Sequence, residues 1–189
     1  MTITAVRRTP ADAETMTADE AIAALYRAQW ATMVRLAYLL VRDEAAAEDV
    51  VADALVNLHR HWDDLADPAL AVGYLRRSVV NGSRSVMRHR RVQHDKLGLQ
   101  AARDARRHVP SAEESALGRL GGRLMLDALD HLPRRQREVL VLRYFLDLSE
   151  AQIATTLEIS PGSVKAHASR GITALRAALA GPTPEGPHR

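Results

Sequence analysis

The chain contains no cysteine, and aromatic side chains make up only 4% of its 189 residues. Without cysteine there is no disulfide, no thiolate metal ligand and no cysteine nucleophile. No stretch approaches the roughly 18 unbroken apolar residues of a membrane span, and the first twenty residues lack the apolar run of a signal peptide. We therefore expect a cytoplasmic protein without membrane contact, of one or two small domains with an aliphatic core.

Signatures of catalysis are also missing from the sequence. There is no phosphate-binding G-x-x-x-x-G-K, and the eight histidines lack metal-ligand spacing with nearby carboxylates. The serines are suited to capping helices rather than to nucleophilic attack. An enzyme is the least favoured class of protein, and we expect no catalytic residue, no metal and no cofactor.

Positive charge is concentrated in the middle of the chain. Residues 69–110 carry ten basic and two acidic side chains, whereas residues 1–68 carry six basic and twelve acidic ones. A local excess of cations is typical of a nucleic-acid contact, because each neutralised phosphate releases counterions and adds affinity. The alternative is a solvated basic linker.

The first half of the chain has the periodicity of amphipathic helices, which we predict over about 19–41, 44–62 and 69–91. On the second helix, Asp49 and Asp53 project opposite the apolar face, so this like-charge pair is expected to be exposed. The pair indicates either a docking surface for a cationic partner or an ordinary solvated face. Asn81 lies inside the third helix, where asparagine is a poor helix former and its amide offers both a donor and an acceptor. It indicates either a functional contact or the cap of a kink beside Gly82.

Residues 132–175 have the spacing of a helix-turn-helix. Ser149 and Gln152 form a capping-box pattern, and Ser160 caps a second helix with Pro161 in its first turn. At about 100° per residue, one side of this second helix is small and polar, and Lys165 and Arg170 flank it. The inner side contains Val164, Ala168, Gly171 and Leu175, and the outer side Gly162, Ala166, Ser169 and Thr173. Such an outer face favours insertion into a DNA major groove, whereas an ordinary helical hairpin is the alternative.

At the start of this stretch, Leu132-Pro133 opens a helix whose first turn is rich in arginine. Cations there oppose the helix dipole, which indicates a phosphate contact. The pattern L-P-x-x-Q-R-x-V-x-x-L-R, followed by L-S-x-x-x-I-A-x-x-L-x-I-S-x-G-x-V-K-x-H, resembles region 4 of bacterial sigma factors. Response-regulator output domains share the helix-turn-helix, so the first half must separate the two.

That first half contains A-E-D-V-V-A-D-A-L-V-N-L-H-R-H-W (47–62) and Y-L-R-R-S-V-V-N (74–81), then a basic tail. These motifs resemble region 2 of the extracytoplasmic-function (ECF) sigma factors, with a likeness to the actinobacterial SigE-like subgroup. The resemblance implies an all-α fold of two small helical domains, a region 2 bundle and a region 4 helix-turn-helix, joined by a flexible linker. The expected divisions are a disordered leader (1–18), region 2 (19–92), the linker (93–112), region 4 (113–180) and a disordered tail (181–189).

The resemblance also assigns roles to individual residues. For the minus-35 element it implies Lys165, Ala166, Ser169 and Arg170, with Arg137 and Arg143 on the DNA backbone. For the minus-10 element it implies Asn81 beside a captured base and Arg76, Arg77, Arg84 and Arg88 on the strand backbone. For polymerase docking it implies Glu48, Asp49 and Asp53. Ala52, Ser85 and Gln152 depart from the family pattern, which weakens the subgroup assignment more than the family assignment.

The resemblance implies two partners, promoter DNA and core RNA polymerase, the latter through its β′ clamp and β flap. An anti-sigma factor is a further partner that occurs in this family. The implied function is that of an alternative sigma factor, which directs initiation at minus-35 and minus-10 elements and helps to melt the latter. Two other functions stay open: a stand-alone helix-turn-helix regulator, and an adaptor that binds polymerase without starting transcription.

Overall fold

The computed structural model describes residues 17–65, 67–97 and 116–180, and over these ranges it is built from α-helices without a β-strand. The helices are α1 (Ala18–Val41), α2 (Glu44–Arg60), α3 (Ala71–Leu97), α4 (Ala116–Asp130), α5 (Arg134–Tyr144), α6 (Glu150–Leu157) and α7 (Pro161–Ala180), with a 3-10 turn at Pro68–Leu70. The all-α expectation is confirmed. None of the helices in these ranges has the length and apolar character to cross a membrane.

The observed bounds of α1 and α2 agree with their periodicity, but α3 is longer than predicted and continues to Leu97. Its apolar repeat ends near Arg91, yet the following residues include Gln93 and Lys96, which favour helix without an apolar stripe. The expected leader up to residue 16, most of the expected linker (98–115) and the expected tail lie outside the described residues.

Helix α4 was not predicted at all. Two adjacent glycines, Gly121 and Gly122, lower its intrinsic helix propensity. Tertiary packing stabilises the helix instead, because Leu129 and the following Leu132 form a small cluster with Leu140 of α5 and Leu175 of α7. Helix propensity summed along the sequence therefore misses α4, because packing against neighbouring helices stabilises it.

Helices α1, α2 and α3 pack together around an aliphatic core that includes Met33, Leu36, Leu58 and Val79, each at most 2% exposed. Gly82 lies inside α3 where it crosses α2, and a Cβ atom placed there would come within 2.9 Å of Val50 Cγ1. The glycine is explained by this close approach of the two helices.

Helices α5, α6 and α7 form a second group, to which α4 is added through α7. Ile153 and Leu157 of α6 pack with Val164 of α7 in its core. Gly171 lets α7 approach α5 closely, since an added Cβ would come within 3.1 Å of Leu140 Cδ1. The second group thus packs against the inner side of α7.

The two groups pack against each other, α1 on α5 and α3 on α6. Buried residues from both, such as Val80 of α3 and Val139 of α5, belong to one continuous apolar cluster. The contact faces of α1 and α3 are therefore covered by α5 and α6. Charged residues of α3 on this side face α5 and α6 rather than solvent.

Candidate nucleic-acid interface

Helices α6 and α7 form the predicted helix-turn-helix, with both predicted caps in place. The Ser149 hydroxyl accepts a hydrogen bond from the Gln152 backbone N–H at 3.3 Å, and the Gln152 side chain accepts one from the Ser149 N–H at 2.9 Å. The Ser160 hydroxyl accepts from the Ser163 N–H at 3.1 Å. These bonds satisfy the free N–H groups of the first turns and fix where each helix begins.

The two sides of α7 are divided as its sequence predicts. Val164, Ala168 and Gly171 are buried on the inner side. The exposed residues of the outer side are Gly162, Lys165, Ala166, Ser169, Arg170 and Thr173. Because the side chains at the centre of this face are small, a DNA groove could approach the helix backbone closely, with the two cations at its rim.

The remaining predicted minus-35 residues are placed differently from Lys165 and Arg170. Arg143 Nη1 lies 3.3 Å from Glu150 Oε1, and Glu150 is also 3.7 Å from the Lys165 ammonium. The Arg137 side chain is only 12% exposed and points towards α1, donating to the Leu40 carbonyl at 3.3 Å and the Asp130 carbonyl at 2.7 Å. Burial lowers the pKa of Arg137, while Asp130 opposes that shift.

The acidic residues Glu48, Asp49 and Asp53 are all exposed on α2, which confirms the predicted exposure of Asp49 and Asp53. Sequence reasoning did not find the apolar groove near them, which runs between α1 and α2. Tyr26 and Val56 line it at 48% and 49% exposure. The Tyr26 ring lies 4.9 Å from that of Trp30, centroid to centroid. The structure thus leaves about half of the Tyr26 side chain accessible.

The predicted minus-10 residues lie along α3, and most of them contact the α4–α7 group. Arg76 Nε donates to Thr156 Oγ1 at 3.3 Å, and Arg77 Nη2 donates to the Thr155 carbonyl at 3.4 Å. Burial lowers the pKa of Arg76. These contacts direct two of the expected DNA-binding arginines towards α6.

Arg84 makes the strongest of these contacts. Its guanidinium forms a two-point pair with the Glu138 carboxylate, at 2.8 and 2.9 Å, and donates to Asn81 Oδ1 at 2.9 Å. Arg88 instead donates to Ser85 Oγ on its own helix at 3.2 Å. The structure thus brings Asn81 and Arg84 together and turns Arg84 towards α5.

A cleft of about 340 Å³ separates α3 from α5. Its polar lining is mostly cationic, with Glu138 as the carboxylate among the lining residues. The lining arginines are Arg84, Arg88, Arg91, Arg134 and Arg137. Sequence reasoning assigned no role to Glu138, although a carboxylate three and four residues after two arginines at a core-facing position was a signal for one.

The helix-turn-helix, its exposed cationic face and the basic helix α3 define a DNA-binding protein of the transcription class. Residues 122–175 match the family described as Sigma-70, region 4. The ECF RNA polymerase sigma factor SigL of Mycobacterium tuberculosis is 35% identical over 162 residues, which cover 82% of this chain and 87% of SigL. The RNA polymerase sigma-E factor of Streptomyces avermitilis is 33% identical over 147 residues, 78% of each chain. The chain belongs to the ECF family of RNA polymerase sigma factors, as its motifs had implied.

Solved structures show the same fold. The sigma factor RpoE of Bartonella quintana, crystallised with the anti-sigma factor NepR, superposes with a TM-score of 0.66 at 22% identity, covering 85% of this chain and 99% of that one. CnrH, solved with the cytosolic domain of CnrY, gives a TM-score of 0.62 at 24% identity, covering 88% and 96%.

Proposed function

We propose that this sigma factor is a dissociable specificity subunit that reads the minus-35 element with α7 and the minus-10 element with α3. It contributes no catalysis of its own, since the polymerase performs the chemistry, and it acts in the cytoplasm, where both partners are found. The observation that supports this most is the exposed face of α7, small at its centre and cationic at its rim, within the span that matches region 4.

At the minus-35 element, Lys165 and Arg170 would meet base edges or phosphates, and Ala166 and Ser169 would lie against the groove floor. A methyl group such as that of Ala166 contacts a thymine methyl or leaves room for a neighbouring side chain. Arg143 would reach the DNA backbone from α5, as would Arg137 once its side chain leaves the contact with α1.

At the minus-10 element, Asn81 would hold an unstacked base through its amide, which both donates and accepts hydrogen bonds. Unstacking a base costs roughly a few kcal/mol, and capture of the extruded base helps to offset this cost. Binding and melting are therefore coupled. Arg76, Arg77, Arg84 and Arg88 would follow the backbone of the separated strand.

Polymerase docking is assigned to Glu48, Asp49 and Asp53, with the groove at Tyr26 and Val56 beside them. Exposed acidic residues next to exposed apolar ones suit a basic, amphipathic partner surface, which the β′ clamp would supply. Region 4 would contact the β flap. An anti-sigma factor is a further proposed partner, since the structural neighbour RpoE was crystallised with the anti-sigma factor NepR.

We expect Asp49→Arg with Asp53→Arg to abolish binding to core polymerase, because the reversed charges would repel a basic docking surface. Co-elution of the purified chain with core enzyme measures this. Asp63→Arg with Asp64→Arg is the matched control, since it makes the same charge change at exposed acids beyond α2. Normal holoenzyme assembly by the first variant would contradict the docking assignment.

We expect Lys165→Ala with Arg170→Ala to reduce run-off transcription from minus-35-dependent promoters at least tenfold, while core binding stays normal. Arg27→Ala with Arg123→Ala removes two exposed cations elsewhere and should leave initiation intact. Unchanged initiation by the first variant would overturn the role of α7. Duplex binding without core enzyme would identify a stand-alone regulator instead, and core binding without initiation an adaptor.

A further inference from the structure

We propose that Glu138 occupies the place of a DNA phosphate on Arg84, so that the structure described here is a closed form that cannot read the minus-10 element. Region 4 would then inhibit region 2 within the same molecule until the two groups of helices separate. The inference rests on the proposed role of α3 in minus-10 recognition.

The geometry of the Arg84–Glu138 pair is that of phosphate recognition. Two parallel N–H···O bonds of 2.8 and 2.9 Å join the guanidinium to the carboxylate, the fork geometry by which arginine also binds phosphate. The Arg84 side chain is 17% exposed and that of Glu138 3%. A phosphate cannot take the two donors that Glu138 holds, because the carboxylate is buried against them and the Arg84 side chain is only partly exposed.

Neighbouring contacts occupy the rest of the expected minus-10 surface. The Asn81 amide oxygen accepts from Arg84, so the residue assigned to the captured base is drawn into the same network. Arg76 and Arg77 are directed to Thr156 and to the end of α6. Four of the five residues assigned to the minus-10 element are thus engaged by α5 or α6, directly or through Arg84.

A second ionic contact holds the groups together at α1. Asp130 of α4 lies 3.1 Å from Arg42 Nε and 3.2 Å from Arg137 Nη1, and Arg137 also donates to the Leu40 carbonyl. Both Arg42 and Asp130 are about 15% exposed. This contact does not involve any residue of α3, so it can be altered without touching the proposed minus-10 surface.

Closure does not cover α7, since the Lys165 side chain is 70% exposed in the same structure. The proposal is therefore selective: the closed protein loses the minus-10 contact and keeps the minus-35 face of α7 exposed, while Arg137 stays held against α1. This distinguishes inhibition by closure from a general loss of DNA binding.

The absence of native cysteine allows a direct distance measurement in the full chain. Arg60→Cys and Arg176→Cys, at exposed positions on α2 and α7, would carry a fluorescent donor and acceptor. In this background, Glu138→Gln and Asp130→Asn should each lower the transfer efficiency. Glu150→Gln is the control, because Glu150 pairs with Arg143 and Lys165 inside the second group.

The same variants, without labels on the protein, would be titrated with a fluorescent single-stranded oligonucleotide carrying the minus-10 strand of a promoter mapped by run-off transcription. We expect Glu138→Gln and Asp130→Asn to bind it roughly tenfold more tightly than the native chain and Glu150→Gln to bind it equally. Asp130→Asn keeps the Arg135–Glu138 pair within α5, so it serves as the test if Glu138→Gln fails to fold.

Unchanged transfer in Asp130→Asn and in a folded Glu138→Gln would overturn the closed form. Lower transfer without tighter strand binding would overturn its inhibitory role. Run-off transcription by the native and Asn81→Ala holoenzymes is measured separately, so that a failure of minus-10 recognition is distinguishable from a failure of the closure. Asn81→Ala holoenzyme that initiates normally would contradict the proposed function of α3 rather than the closure.

Discussion

Arg42 ends α1 in the left-handed region, with φ 58°, where glycine is the usual residue. A non-glycine residue in this conformation costs roughly 1 kcal/mol. Its side chain explains its presence, because the guanidinium lies 5.3 Å above the Tyr38 ring and reaches Asp130 across the contact between the two groups. A glycine would relax the turn and lose that contact.

Gly82 also owes its identity to a contact with a distant part of the sequence. We expect Gly82→Ala to lower the free energy of unfolding by about 1–3 kcal/mol, because the new methyl group would overlap the stiff, buried Val50. Urea denaturation of the full chain measures this.

Gly121→Ala is the matched control for Gly82→Ala, since nothing lies within 4 Å of a Cβ at that position of α4. It should raise the free energy of unfolding by about 0.5–1 kcal/mol through helix propensity alone. Equal effects of the two substitutions would show that close packing does not explain Gly82.

At the scale of the element, α6 depends on its capping box because it has only eight residues. We expect Ser149→Ala to lower the free energy of unfolding by about 1 kcal/mol, because one N–H of the first turn loses its acceptor. Chemical denaturation of the full chain is the measurement.

Ser149→Asp should retain nearly native stability, since aspartate accepts the same hydrogen bond and adds a favourable charge at the helix N-terminus. A loss of stability in Ser149→Asp equal to that in Ser149→Ala would mean that the hydroxyl acts in some other way than as a cap.

The elements that the sequence predicted are those specified by local signals. Caps at Ser149 and Ser160, and the two sides of α7, follow from spacing of three and four residues and are confirmed. Helix α4 and the Arg84–Glu138 pair were missed, because the first is stabilised by packing and the second joins residues 54 positions apart. The individual DNA and polymerase contacts stay predictions.

At the scale of the whole molecule, the basic excess of residues 69–110 predicts a strong salt dependence of promoter binding. We expect Arg88→Ala in the holoenzyme to make the negative slope of log affinity against log salt concentration shallower by about 1, because one phosphate contact is lost. Promoter binding measured across a salt series gives the slope.

Arg27→Ala is the control for the salt series, since it removes an exposed cation from α1, to which no DNA contact is assigned. Its slope should equal that of the native holoenzyme. An unchanged slope in Arg88→Ala would exclude this arginine from the DNA backbone contacts.

The Arg84–Glu138 pair has a consequence for dose. If binding requires an open form, the apparent dissociation constant equals the intrinsic one divided by the open fraction, so a population that is 1% open binds about a hundredfold more weakly. The expression level at which target promoters switch on would then depend on a carboxylate that never meets DNA. Substitution of Glu138 would shift that threshold while every base-reading side chain stayed the same.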